Sequence, residues 1–145
     1  MRELSTILVF ILNSTWGIIQ SLMGLIRFFM YWRHPHYRYE ASIVTVGASS
    51  KRSQSKGGLS LGSFIFISSD MKPEDIPRSR LVRHEYGHVL QSVALGPLFL
   101  PLVGIPSFIW AQYFSDWRKR NGVNYYTFYT ERWADNWGES KLQQS

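Results

Sequence analysis

The sequence predicts an α+β domain: a small antiparallel sheet, two helices that carry a metal-ligand pattern, and an apolar helix ahead of them. Three observations predict it. The chain begins with a long uncharged run. Two short stretches near its middle are rich in β-branched and aromatic residues. A helical periodicity then surrounds His84-Glu85-Tyr86-Gly87-His88. Residues 1–33 read as an apolar helix and membrane anchor. Residues 34–145 read as the metal-binding domain, with a broken apolar segment at 92–114.

Leu4 to Ile26 is a run of 23 uncharged residues, long enough to span a bilayer as one helix. Asn13, Gly17, Gln20, Gly24 and Arg27 fall at i, i+4, i+7, i+11 and i+14. That spacing makes one stripe of polar or small residues, suited to helix–helix packing. A helix lying on the membrane, or packed on a soluble core, is the plainer alternative. The run is long for a signal peptide, and no small-residue cleavage site precedes Tyr31. Arg27, Arg33 and Arg38 follow the run whereas only Arg2 precedes it. The positive-inside rule then puts the bulk of the chain on the cytoplasmic side.

Ala41 to Val46 and Leu59 to Ser68 read as two strands, joined by a Ser/Lys/Gly loop that holds Lys51, Arg52 and Lys56. They predict a hairpin whose edge could receive an extended peptide. Ser79 to Leu95 reads as one helix. Leu81, Val82, Val89, Leu90 and Val93 recur at helical spacing, Asp75 or Ser79 can cap the start, and Gly96-Pro97 is a stop signal. Four residues advance about 400° around a helix, so His84 and His88 point the same way and can share one Zn²⁺. Glu85 falls beside that ion, where it can take a proton from bound water. Gly87 in a helix interior invites close approach by another element. Two surface histidines are the plain alternative.

The chain has no cysteine, so a third protein ligand must be histidine or carboxylate. His34 and His36 are the other histidines, in a basic, Tyr-rich stretch. Among only ten acidic residues the best candidate is Glu131, on a second helix that Asn124 can cap and Gly138 can end. Asp135 shares its face and can orient a ligating histidine through the free N–H. A solvated helix face is the alternative. Tyr126, Tyr129 and Arg132 are candidate donors to an oxyanion.

Ser92 to Phe114 is a second uncharged run of 23 residues, interrupted by Pro97, Pro101 and Pro106. A plain spanning helix is not expected there. Trp110 and Trp117 then meet Arg118-Lys119-Arg120, the aromatic and basic pattern of a membrane interface. A proline-rich core loop is the alternative. The net charge of +6 and an aromatic content of 16% fit an anionic lipid surface. No phosphate loop, internal repeat or nucleic-acid recognition pattern is visible, so no nucleic-acid partner is expected.

His84-Glu85-Tyr86-Gly87-His88 followed by Glu131-Arg132-Trp133-Ala134-Asp135 resembles the H-E-x-G-H … E-x-x-A-D pattern of the gluzincin metallopeptidases. The resemblance is closest to the membrane type that includes CAAX prenyl proteases and heat-shock membrane peptidases. It covers two short segments. The chain is much shorter than those enzymes, which suggests a separate, minimal family. The resemblance implies a minimal zincin-like domain and a membrane-associated zinc metallopeptidase acting on a peptide or protein substrate. His84, His88 and Glu131 would bind zinc, Glu85 would be the general base, and Asp135 would support a histidine. A non-catalytic zincin-like membrane scaffold or partner-binding protein is the competing expectation. A basic membrane-surface protein whose motif is accidental is a third.

Overall fold

A computed structural model describes residues 2–48, 57–68 and 70–140. Most of the loop with Lys51, Arg52 and Lys56 lies outside the described residues. Strands β1 (His36–Tyr39), β2 (Ser42–Val46), β3 (Gly58–Leu61) and β4 (Phe64–Ile67) form one sheet in the order β1-β2-β4-β3. Both sequential pairs are hairpins with two-residue loops, Tyr39 opposite Ser42 and Leu61 opposite Phe64. Each loop begins with a left-handed residue, Glu40 at φ 48° and Gly62 at φ 58°, the conformation that two-residue hairpins require. The two hairpins join through a parallel pairing of β2 with β4.

The sheet is therefore mixed, which corrects the antiparallel expectation. The stretch from Leu59 to Ser68 is two strands folded at Gly62, not one. The predicted hairpin partners, β2 and β4, run side by side in the same direction. The Tyr-rich stretch around His36 adds a fourth strand.

Helix α1 (Arg2–Thr15) and helix α2 (Ile18–Met30) share the N-terminal apolar run. Among the described residues no single helix is long and apolar enough to cross a membrane. The pair Ser5–Thr15 and Ile18–Met30 passes that test together, bent by 94°. This corrects the single straight helix expected over the run. The bend has a local cause. Gly17 N–H donates to Leu12 O, five residues back, and the Asn13 carbonyl instead takes the Ser21 hydroxyl at 2.7 Å.

Helix α3 (Arg80–Leu95) packs on one face of the sheet. Val44, Val46, Ile65 and Ile67 from the strands meet Ile76, Val82, Tyr86 and Val89 in one buried cluster. Alternation along β4 sends Phe64 and Phe66 to the opposite face, where Phe28 packs on Phe64 and the Arg27 guanidinium lies over Phe66. Ser79 caps α3 by accepting from Val82 N–H, and Gly96 ends it at φ 53°. The segment beyond is irregular as its prolines require: a tight turn at Gly96–Leu98, a wide π turn at Leu100–Gly104, then α4 (Ile105–Gln112) and α5 (Ser115–Asn121).

Helix α6 (Tyr129–Ser140) crosses α3. It starts later than expected, because Asn124 caps a separate tight turn at Tyr125–Thr127. Gly138 does not end it; it lies inside the helix against the Arg83 carbonyl. A Cβ on Gly138 would stand 2.1 Å from that oxygen, and one on Gly87 would stand 1.9 Å from Ala134 O. The two helices touch backbone to backbone at both points. Gly87→Ala is expected to lower stability by about 3 kcal/mol, the upper end for overpacking, because the obstacle is a main-chain carbonyl and no side chain can turn aside. Urea unfolding of the variant beside the wild type checks this.

Candidate metal centre

The crossing of α3 and α6 brings His84, His88 and Glu131 together. Their ligand atoms all lie within 4.8 Å of one another, and all three residues are buried. His84 Nε2 stands 3.1 Å and His88 Nε2 3.4 Å from the same oxygen, Glu131 Oε2. Two ligands of a tetrahedral metal at about 2.05 Å are about 3.3 Å apart, so both separations fit a shared ion.

Hydrogen bonds on the far side of each ring sharpen the argument. His84 Nδ1–H donates to Asp135 Oδ1 at 2.8 Å. His88 Nδ1 meets Gln91 Oε1 at 2.6 Å, while Gln91 Nε2 donates to the Thr130 carbonyl at 3.1 Å. A carbonyl only accepts, so the Gln91 amide has one orientation and His88 Nδ1 must be the donor. Neutral imidazoles held in this way turn both Nε2 lone pairs toward a carboxylate. Three acceptors facing one another require a cation. Protons on Nε2 can meet that need in the metal-free protein; a divalent metal meets the need of both rings with one ion.

The other Glu131 oxygen is also held. Oε1 accepts from the Thr130 hydroxyl at 3.2 Å, and Thr130 Oγ1 accepts from Ser107 at 2.8 Å. The Tyr125 side chain bonds to Glu131 as well. Burial works against a charged Glu131, but hydrogen bonds from His84 and His88 prevail and hold its carboxyl well below the usual range. Burial likewise opposes charge on His84. Its bond to Glu131, the charge of Glu85 and the bond to Asp135 outweigh that, and the imidazole is pushed up to about 9.

Glu85 lies beside this group and outside it. Burial raises its carboxyl, which His84 and His88 offset only in part, and Ser60 bonds to it. Gly58 of edge strand β3 passes so close that a Cβ there would stand 2.5 Å from Glu85 Oε1. The edge strand and the acid are thus in direct contact.

Of the remaining sequence candidates, Tyr126 borders the ligand group and the others lie away from it. The Tyr126 ring meets the His84 ring edge-on, under the Arg80 guanidinium. Tyr129 donates its hydroxyl to Leu102 O, and Arg132 donates to Thr127 O. His36 bonds to Thr45 and Trp32, and the His34 ring packs on Tyr31; neither is in the cluster. Asp135 also pairs with Arg80 at 3.2 Å.

Sequence reasoning missed Gln91, Tyr125, Ser60 and the Ser107–Thr130 pair. Gln91 carried a signal, since it follows His88 by three and shares the ligand face. Tyr125 carried none that separated it from Tyr126. Its hydroxyl is raised by burial and by the charges of Glu131 and Glu85, so it stays protonated.

Comparisons of the chain with protein-family models, with curated proteins and with solved structures find no match.

Two expectations follow from the cluster. Asp135→Ala and Gln91→Ala should each weaken divalent-metal binding by about 10- to 100-fold, the usual cost of losing an orienting partner, as read by competition with a chromophoric chelator. The second concerns pH. Folding stabilises the protonated form of His84, so in chelator-treated protein its contribution is whole below the ordinary value of 6.5 and is lost as pH rises through about 9. A metal needs the neutral ring and competes with that proton. The rise in Tm on adding a divalent metal should therefore grow from pH 6.5 to 9; a rise independent of pH would contradict it.

Proposed function

We propose that this protein is a membrane-associated zinc metallopeptidase of zincin type. The observation that carries the reading is the convergence of His84 Nε2, His88 Nε2 and Glu131 Oε2, with Glu85 beside them and not among them. A structural zinc site has no use for an adjoining buried carboxylate, whereas hydrolysis needs a base. His84, His88 and Glu131 would hold the ion, which when bound would polarise a carbonyl and acidify water.

The chain's own residues have separable tasks in this reading. Glu85 accepts the proton of the attacking water and hands it to the leaving amine. Its raised carboxyl suits both halves of that exchange. Ser60 holds the carboxyl from one side, and Gly58 leaves room for it. Tyr125 offers a protonated hydroxyl at the ligand group for a developing oxyanion; of the earlier candidates Tyr126 lies against the His84 ring, while Tyr129 and Arg132 are engaged elsewhere. An extended peptide laid along edge strand β3 would pass beside Glu85, using the strand's outer N–H and C=O groups.

One observation favours a second reading, a non-catalytic scaffold that keeps the metal. Glu85 is only 5% exposed and His84 4%, so substrate reaches them only if an element beside the site moves. A pair of variants separates the two. Wild type should copurify with stoichiometric zinc and Glu131→Ala should not, by elemental analysis. Glu85→Gln should keep the zinc and lose about 100- to 10,000-fold of peptide-library cleavage, the usual contribution of a general base. Zinc without cleavage in the wild type would leave the scaffold; no zinc in the wild type would end both readings.

A further inference from the structure

The helices around the metal centre are built inside out. Every exposed position of α2 is apolar, from Ile18 to Met30, while its polar Gln20 is fully buried. Gln20 Nε2 donates to the Gly96 carbonyl at 2.7 Å and to Ser92 at 3.1 Å, and Ser92 donates to Asn13 Oδ1 at 2.9 Å. The polar stripe of the first run is thus turned toward α3 and its last turn. A helix facing water would have the opposite arrangement. Two hydroxyls on the outer side of α1 are satisfied within the helix, Ser14 by Phe10 O and Thr15 by Ile11 O, as a lipid-facing helix requires.

The second apolar run repeats the pattern. Every exposed residue from Pro97 to Ile109 is apolar, and Ser107 points inward to Thr130. The two runs meet where the Trp16 indole lies against Gly96. Both end in aromatic residues followed by cations. Exposed Trp32 precedes Arg33; Tyr113 and Trp117 precede Arg118, Lys119 and Arg120.

We infer that α1, α2 and the 97–114 segment form one surface that enters a single leaflet of an anionic bilayer and does not cross it. Length decides between entering and crossing. Each arm of the bent pair is about 20 Å long at 1.5 Å per residue, against a hydrocarbon core of about 30 Å, and the 94° bend prevents the arms from adding. The terminal aromatics and arginines would sit at headgroup level. A contiguous apolar patch of this kind is rare on a monomer in water and marks an interaction surface, and the basic residues at its ends select an anionic surface as its occupant. The inference deepens the membrane part of the proposed function and is independent of the chemistry.

The chain has no cysteine, so single-cysteine variants report cleanly. Ser5→Cys, Glu74→Cys, Ile26→Cys and Phe108→Cys would be added from detergent to preformed phosphatidylcholine vesicles, with and without phosphatidylglycerol, and treated with a membrane-impermeant maleimide. The inference expects full labelling at positions 5 and 74 from the outside and protection at 26 and 108. It expects resistance to carbonate, and vesicle affinity about tenfold or more higher with phosphatidylglycerol. Replacing Arg118, Lys119 and Arg120 together by glutamine should remove most of that gain. Position 5 protected while 74 reacts would overturn the single-leaflet arrangement. Protection at 26 and 108 in a vesicle-free dimer, with no vesicle binding, would make a second copy the occupant and overturn the lipid assignment. Zinc content of the same samples shows whether the metal reading stands or falls separately.

Discussion

The contact on which the site depends is the backbone-to-backbone crossing of α3 and α6. Gly87 accepts the Ala134 carbonyl where a Cβ would be, and Gly138 accepts that of Arg83. Gly87 lies between His84 and His88 in the chain, and Ala134 between Glu131 and Asp135. The point of closest approach is therefore inside the ligand set on both helices. No larger residue at 87 would let Glu131 come within 3.1 Å of His84 while Asp135 reaches the far side of the same ring. The two segments are far apart in sequence, and the absence of a Cβ at Gly87 and at Gly138 lets them come together.

Around that crossing the protein buries polar groups in connected sets and leaves apolar ones outside. Asn13, Ser92, Gln20 and the Gly96 carbonyl form one set at the end of α3. His88, Gln91 and the Thr130 carbonyl form a second, and Ser107, Thr130 and Glu131 a third. Buried networks specify geometry to the extent that their members are satisfied; in the first set Asn13 Nδ2 and Gln20 Oε1 have no hydrogen-bond partner among the described residues. The first set joins α3 to α1 and α2 of the apolar surface, the third joins α6 to α4 of that surface, and the second joins α3 to α6. Position at that surface and position at the ligands are thus mechanically continuous, through α3 on one side and through α4 on the other.

Legibility in the sequence followed the range of the interaction. The α3 boundaries were readable because Ser79 and Gly96 act on their own helix. His84 with His88, and Glu131 with Asp135, were readable because four residues return to one face of a helix. The stripe from Asn13 to Gly24 was readable for the same reason, and those residues are buried. The bend at Gly17 was not, because the run has no proline. It depends on the Asn13 carbonyl turning to Ser21 and on Ser92 from a distant helix.

By itself the sequence determined the helix pair that can hold a metal, the residue types at its ligand positions, and the amphipathic stripes, since each is a local periodicity. Only tertiary structure decided the parallel pairing of β2 with β4, because strand order is a choice among non-local partners with similar hydrophobic patterns. It also decided that Gln91 orients His88, that Tyr125 rather than a neighbouring tyrosine bonds to Glu131, and that the edge strand touches Glu85. Those outcomes depend on how closely two backbones approach, a distance that no spacing along one chain contains.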